Sequence, residues 1–349
     1  MADHELTKKV KGFYNDLVLS CDFVCNVNEP DLTEEERELV KKLHPETMKR
    51  YYGSGLAIPS HVEGCKILDV GSGSGSLVFV LSKLVGPKGH VTGVDITPNL
   101  TDISRKYTKY HCDLWGLSQP NIEFHCGNAE RLKEDFGFKE NSFDIIVSNG
   151  VLCLCPNKEK VLASIYSTLK EGGEFYLNDV YGSRQAPEEY KDDFKFWDLG
   201  LTGSQVWPEF GESMKSAGFT TPYMTMAGPV DVSDEYTAKL QGAKYVCAGH
   251  RMFKLPKGAH RGPAKVTYKG NIAGHKDEFK WDVDLTFKTG TPMAVDAELA
   301  TILAFTRYKD CFDFEDVTAT ITKRAQNPFT YLEELAAKGK PFPYIYEVK

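Results

Sequence analysis

Between residues 65 and 255, short apolar runs alternate with stretches of helical periodicity. Residues 66–70, 90–96, 122–126, 143–148 and 174–180 read as buried strands, and 243–255 regains strand character. Helical spacing of apolar positions covers 75–84, closed by Gly86-Pro87, and then 98–115 and 158–169. Helix-length pieces between short strands imply right-handed crossovers. The expected fold class is α/β, a doubly wound and mostly parallel sheet with helices on both faces.

The flanks follow other patterns. Upstream, Thr33 and the acidic run Glu34-Glu35-Glu36 supply a cap and first turn for a helix carrying Leu39, Val40 and Leu43. Residues 26–30 read as loop, and Tyr51-Tyr52-Gly53-Ser54-Gly55 sets bulky rings beside permissive glycines. Downstream of a basic, Gly/Pro-punctuated linker at 256–263, Phe279, Trp281, Val283, Leu285 and Phe287 alternate with Lys280, Asp282, Asp284 and Thr286. That alternation predicts one half-buried antiparallel strand, with 266–272 as its partner across a turn at 273–278. Asp296 is placed to cap a helix bearing Leu299, Ile302, Leu303 and Phe305. The expected organisation is a helical cap segment at 1–60, a sheet domain at 61–255 and a small α+β domain at 256–349. The roughly twenty-five terminal residues are mixed and expected to be partly ordered.

Composition narrows the function. Apolar types at 41% in 349 residues are enough for a buried core. A net charge of −7 argues against nucleic acid or an anionic membrane as the main partner. No apolar run approaches the roughly 18–20 residues of a membrane span. Nine scattered cysteines without a secretory-type segment point to a reduced, cytoplasmic chain with free thiols and no metal site. A monomer is compatible with all of this, and the oligomeric state is left open.

The first strand runs into Asp69-Val70-Gly71-Ser72-Gly73-Ser74-Gly75. Such glycines permit a tight turn and close approach of a ligand to backbone N–H groups at a helix N-terminus. The spacing is G-x-G-x-G, without the later third glycine of the dinucleotide fingerprint. Asp69 suits the ammonium of a methionine-type ligand. Asp95, followed by Ile96, ends the second strand, where a carboxylate can accept both ribose hydroxyls of a nucleoside. Asn128 and Ala129 follow the third strand, with Asn128 placed for an adenine edge, and Asn149 ends the fourth. In register on consecutive strands, these residues favour S-adenosylmethionine as cofactor and a class I, Rossmann-like methyltransferase sheet.

The chain resembles the arsenite methyltransferase family. The resemblance runs through Arg50-Tyr51-Tyr52-Gly53, the glycine loop, Gly89 to Asp95, Ile146-Val147-Ser148-Asn149, Leu169 to Glu174, Asn178-Asp179-Val180-Tyr181, Gly270 to His275 and Leu285 to Lys288. It covers roughly residues 10–315. The family holds trivalent arsenic through cysteine thiolates, because a soft centre wants converging sulfur ligands. Three of its cysteine positions correspond here to Ser54, Gly150 and, by alignment on Trp197, Gly200. The N-terminal cysteine corresponds to Cys21 or Cys25.

These changes imply a methyltransferase acting on a small-molecule acceptor other than arsenite, with an amine as the best guess. Candidate groups at the acceptor are Tyr14, Tyr51, Tyr52, Ser54, Asn149, Asp179, Tyr181, Trp197, Asp198 and Trp207. Aromatic faces with a carboxylate hold a cationic amine, and Asp198 or Asp179 would orient it. His44, His61 and His250 have no supporting motif as general bases. The alternatives are arsenite methylation through Cys21, Cys25, Cys153 and Cys155, and an inactive scaffold that binds S-adenosylmethionine. Asp95→Ala is expected to weaken S-adenosylmethionine binding by about 1–3 kcal/mol in isothermal titration calorimetry, the scale for a lost charged hydrogen-bond partner. Unchanged affinity would remove the ribose assignment.

Overall fold

The acidic run after Thr33 does form a helix start. Thr33 Oγ1 accepts from the Glu36 backbone N–H, and the Glu36 carboxylate accepts from the Thr33 N–H at 2.6 Å, a reciprocal capping box. A computed structural model describes residues 4–16, 32–51, 55–318, 327–342 and 346–347. Helices α1 (Glu5–Asp16), α2 (Glu34–Lys41) and α3 (Pro45–Met48) precede the sheet. There follow β1 (Lys66–Val70), α4 (Ser76–Val85), β2 (His90–Asp95), α5 (Pro98–Trp115), β3 (Ile122–Cys126), α6 (Leu132–Phe136), β4 (Phe143–Asn149), α7 (Lys158–Thr168) and β5 (Leu169–Gly182). These strands and the long helices among them match the periodicity to within a few residues.

Beyond β5 the agreement is looser. Helix α8 (Phe194–Trp197), β6 (Gln205–Val206), α9 (Trp207–Ser216), β7 (Tyr223–Asp231) and α10 (Asp234–Lys239) lead to β8 (Tyr245–Lys254). Strand β7 has no sequence forecast, because its Gly228-Pro229 reads as a break and proline lacks a ladder donor. It pairs antiparallel with β8 through an irregularity between Met224 and Met226.

The C-terminal region holds β9 (Ala264–Tyr268), β10 (Glu278–Lys280), β11 (Thr286–Lys288), β12 (Pro292–Val295), α11 (Ala297–Phe305), β13 (Phe312–Asp316), α12 (Pro328–Ala337) and β14 (Tyr346–Glu347). Here the alternating stretch is not one strand. It folds back, with Phe279 opposite Phe287, because Asp282 Oδ1 accepts from the N–H groups of Asp284 and Leu285 and closes a turn. Both arms still present their aromatics to one core, so the alternation survives the reversal. The expected partner strand is also different: β9 pairs with β12 and β13. Asp296 caps α11 as its sequence implies, accepting from Leu299 N at 2.9 Å.

Among the described residues the main sheet has the order β14-β7-β8-β5-β4-β1-β2-β3, with β6 beside β5. Strands β1 to β5 are parallel, and β8 runs antiparallel between β5 and β7. Leu77 to Leu81 of α4 and Trp115 of α5 pack on one face. Val161, Leu162 and Ile165 of α7, Phe210 and Met214 of α9 and Leu332 of α12 pack on the other. No helix among the described residues is long and apolar enough to cross a membrane.

One buried ion cluster ties the C-terminal region to this sheet. Glu174 of β5, with a fully buried side chain, accepts from Arg251 Nε at 2.8 Å and Nη2 at 3.1 Å, and from Arg307 Nη2 at 2.5 Å. The Tyr308 hydroxyl bridges both guanidinium groups. Arg307 also donates to the carbonyls of Ser60 and His61, just upstream of β1, while Arg251 lies 4.0 Å from the Trp281 ring centroid. Removing one partner of a buried pair strands the others' charge. Glu174→Gln is therefore expected to cost about 3–5 kcal/mol in urea denaturation, and a loss under about 1 kcal/mol would contradict the cluster's role.

Candidate functional site

Parallel register brings the ends of the strands β4, β1, β2 and β3 into one line. Asp69 lies between Gly93 and Val147, and Asp95 lies opposite Cys126. Above these ends opens a cleft of about 1110 Å3, part of it open to solvent. The glycine loop forms its floor. Gly71 and Ser72 N–H groups both donate to Val94 O, and Gly73 N–H donates to Asp95 Oδ2 at 2.9 Å. Gly71 (φ 81°) has no room for a side chain, since a Cβ there would collide with Val151.

Asp69 is 3% exposed, and its carboxyl is pushed up to about 8, first by burial and then by the charge of Asp95. Burial also raises Asp95, opposed by the N–H groups of Thr97 and Gly73. Two carboxylates in one cleft favour a ligand that brings positive charge.

Of the residues expected at the cofactor, Asp69, Gly71, Ser72, Gly73, Asp95, Ile96, Asn128, Ala129 and Asn149 line the cleft. Gly75 stands apart from the lining; its φ of 90° starts α4, and a Cβ there would press on Phe79, Phe124 and Ser104. Asn128 uses Oδ1 to accept from Glu130 N at 2.9 Å, capping the short turn Ala129–Arg131. Asn149 Nδ2 donates to the Tyr51 hydroxyl at 3.0 Å and to Gly55 O.

Of the acceptor candidates, Tyr14, Tyr51 and Asn149 line the cleft, whereas Asp179, Tyr181, Trp197, Asp198 and Trp207, expected at its mouth, do not. Tyr52 and Ser54, with Cys21 and Cys25, lie outside the described residues. Asp179 is buried behind the cleft, accepting from the backbone N–H groups of Cys153 and Val180. Trp197 packs against Leu6, Val10 and Tyr14, and its indole N–H holds Leu154 O at 3.1 Å. Asp198 sits next to it, half-buried, its carboxyl raised to about 6 mainly by burial and its Oδ1 without a hydrogen-bond partner among the described residues. The Tyr14 hydroxyl donates to the Asp198 carbonyl oxygen at 3.3 Å. Tyr181 and Trp207 are not at the mouth: they surround His250 in the core on the α9 side, with Trp207 stacked on the imidazole. Neither His44, which caps α3, nor His61 or His250 lines the cleft.

The lining also contains residues without a forecast role, notably Thr7 of α1, Arg50 and Glu130. Thr7 Oγ1, Ser72 Oγ and Arg50 Nε are buried with no hydrogen-bond partner among the described residues. The signal for Arg50 was its place in the Arg-Tyr-Tyr-Gly segment; Thr7 carried none. The seven described cysteines are free thiols. Among the described residues no three His, Cys, Asp or Glu side chains are grouped to hold a metal ion.

A parallel sheet in which β8 alone of the strands from β1 to β8 runs antiparallel, between β5 and β7, with a glycine loop and acidic strand ends under one cleft, defines a class I methyltransferase that uses S-adenosylmethionine. The cleft fits that cofactor: paired carboxylates suit a ligand bearing an ammonium and a sulfonium, and the unpartnered polar atoms await hydrogen bonds. Residues 61–220 match a family profile described as a methyltransferase domain, and residues 261–344 match the arsenite methyltransferase C-terminal domain. The chain is 38% identical over 349 residues to an arsenite methyltransferase of Rattus norvegicus, covering 97% of this chain and 94% of that protein. It is 36% identical over 283 residues to an arsenite methyltransferase of Aquipseudomonas alcaligenes, covering 80% and 81%. Its fold matches the crystal structure of an arsenic(III) S-adenosylmethionine methyltransferase from Chlamydomonas reinhardtii, with a TM-score of 0.77, 30% identity, and coverage of 84% of this chain and 99% of that one. The chain belongs to the arsenite methyltransferase family.

The raised Asp69 carboxyl has a consequence for stability. From about pH 4, the unfolded carboxyl's range, the folded state holds a proton that the unfolded chain has lost. Stability therefore falls as pH rises toward about 8. Asp69→Asn removes this cost, so its gain in Tm over the wild type, measured without ligand, is expected to grow between about pH 5 and about pH 8. A pH-independent difference would contradict the buried acid.

Proposed function

We propose that this enzyme methylates a small amine rather than a thiolate-held arsenical. The observation that carries the reading is Gly150, where the family resemblance puts a cysteine. It lines the cleft at φ 67°, and the space a side chain would take is open. At Gly200, the further such position, φ is 72° and a Cβ would stand 3.0 Å from Cys153 Sγ. The thiols nearest the cleft are poor substitutes. Burial pushes Cys155 up to about 12, and burial with the Asp179 charge pushes Cys153 well above the ordinary thiol range. Protonated thiols are weak ligands for a soft centre.

S-adenosylmethionine, when bound, supplies a methyl group activated by its sulfonium. Asp69 faces the ammonium, while Asp95 takes the ribose hydroxyls with the lone pairs left beside its two backbone contacts. Gly71, Ser72 and Gly73 bring backbone close to the ligand, and Ile96, Asn128 and Ala129 border the base. Tyr51 and Asn149 form a hydrogen-bonded rim at the transfer end. Tyr14 lines the cleft and holds the Asp198 backbone carbonyl; the half-buried Asp198 carboxyl lies outside the lining and would reach the amine, to orient it and take its proton, only from beside Tyr14. Asp179 and Trp197 position this wall from behind.

The identity to arsenite methyltransferases favours a second reading, arsenite methylation through the rearranged set Cys21, Cys25, Cys153 and Cys155, of which Cys155 lines the cleft. Reduced enzyme supplied with S-adenosylmethionine and separate pools of amines, alcohols, thiols and arsenite distinguishes the two. Formation of S-adenosylhomocysteine is expected with amines and not with arsenite. Asp198→Asn is expected to lower kcat/KM for the amine about 100-fold or more with cofactor affinity retained. Turnover that depends on arsenite and is lost in Cys155→Ser would replace the amine reading with the second.

A further inference from the structure

Arg50 is the one lysine or arginine among the described residues that line the cleft. Its place is set by two neighbours. Helix α3, which ends two residues earlier, sits on the glycine loop, where Ser74 Oγ donates to Thr47 O at 2.6 Å. The next residue, Tyr51, is fixed to the end of β4 by Asn149. Arg50 therefore stands at the β4–β1 end of the cleft, away from the β2–β3 end marked by Asp95 and Asn128. Its Nη1 donates to Glu46 O at 3.3 Å and Glu46 Oε2 at 3.2 Å, while its Nε is buried without an acceptor among the described residues.

A guanidinium N–H held out of water without an acceptor is costly, so this position is suited to a ligand that brings one. Carboxylate matches the guanidinium fork best. A simple anion would meet the repulsion of Asp69 and Asp95 in the same cleft. A zwitterion would not, because its ammonium answers the acids while its carboxylate answers the guanidinium.

We propose that Arg50 binds the carboxylate of the cofactor's amino-acid end, beside the ammonium that Asp69 takes. This rests on the reading of the cleft as the S-adenosylmethionine site, and it adds the recognition that separates the whole cofactor from its nucleoside part. The probes are S-adenosylhomocysteine and 5′-methylthioadenosine, which share the adenosine and thioether but differ in the amino-acid end.

Calorimetry on the full chain is expected to show wild type binding both probes. Arg50→Gln is expected to weaken S-adenosylhomocysteine about tenfold or more while 5′-methylthioadenosine changes less than about twofold. Arg50→Lys keeps a cation without the fork and is expected to fall between; it also serves if the glutamine variant does not fold. Equal weakening of both probes would overturn the proposal by showing that Arg50 only holds its segment on the glycine loop. Unchanged affinity for S-adenosylhomocysteine would also overturn it, and with a raised KM for a carboxylate-bearing acceptor would move Arg50 to the acceptor. A wild type that binds neither probe would instead overturn the cofactor-site reading, and the proposal with it.

Discussion

At the ends of β1 and β2, Asp69 and Asp95 are held in one cleft, and the charge on Asp95 adds to the burial that makes Asp69 hard to ionise. Such a placement persists in a fold only if it is exact in position and useful to a ligand. The parallel register of β4, β1, β2 and β3 supplies the position. The glycine loop supplies the rest, since its N–H groups hold Val94 O and Asp95 in place while Gly71 gives up its side chain to Val151. Helix α3 then clamps the loop from above through Ser74 and Thr47. A cationic ligand relieves the strain between the acids, so the cleft loses in stability without a ligand what it gains in affinity for one.

The C-terminal region is bound to this arrangement through charge as well as apolar packing. Glu174 lies in β5, parallel to β4, and the two guanidinium groups around it come from β8 and from the segment after α11. Arg307 reaches on to the carbonyls that lead into β1. The chain also returns to the main sheet at its end, where α12 packs on β7 and β8 and β14 pairs with β7. The profile matches at 61–220 and 261–344 thus describe two regions that share buried contacts.

Much of the sheet was legible because buried parallel strands are continuous apolar runs and the helices between them are amphipathic; β1, β3 and α5 have the bounds that the pattern implies. The glycine loop, Asp69, Asp95 and Asn149 were legible because each follows directly from a strand end. Local signals failed where the chain reverses or packs at long range. Alternation from Phe279 to Phe287 cannot reveal that Asp282 turns the strand back. Tyr181 and Trp207 look like a pocket mouth in sequence, yet both pack around His250 on the far side of the sheet. Arg50 and Thr7 reach the cleft through the packing of α3 and α1, which no periodicity encodes.

The cysteine pattern of this chain departs from the family's at Gly150 and Gly200. Thiols are plentiful in this chain, but burial pushes Cys153 and Cys155 above the ordinary thiol range, and Gly150 leaves open space in the cleft. Equilibrium dialysis of arsenite against the fully reduced protein, with S-adenosylhomocysteine present, tests this most directly. No saturable binding is expected at micromolar arsenite, and no difference between wild type and Cys153→Ser. Micromolar binding that disappears in Cys153→Ser would contradict the amine reading.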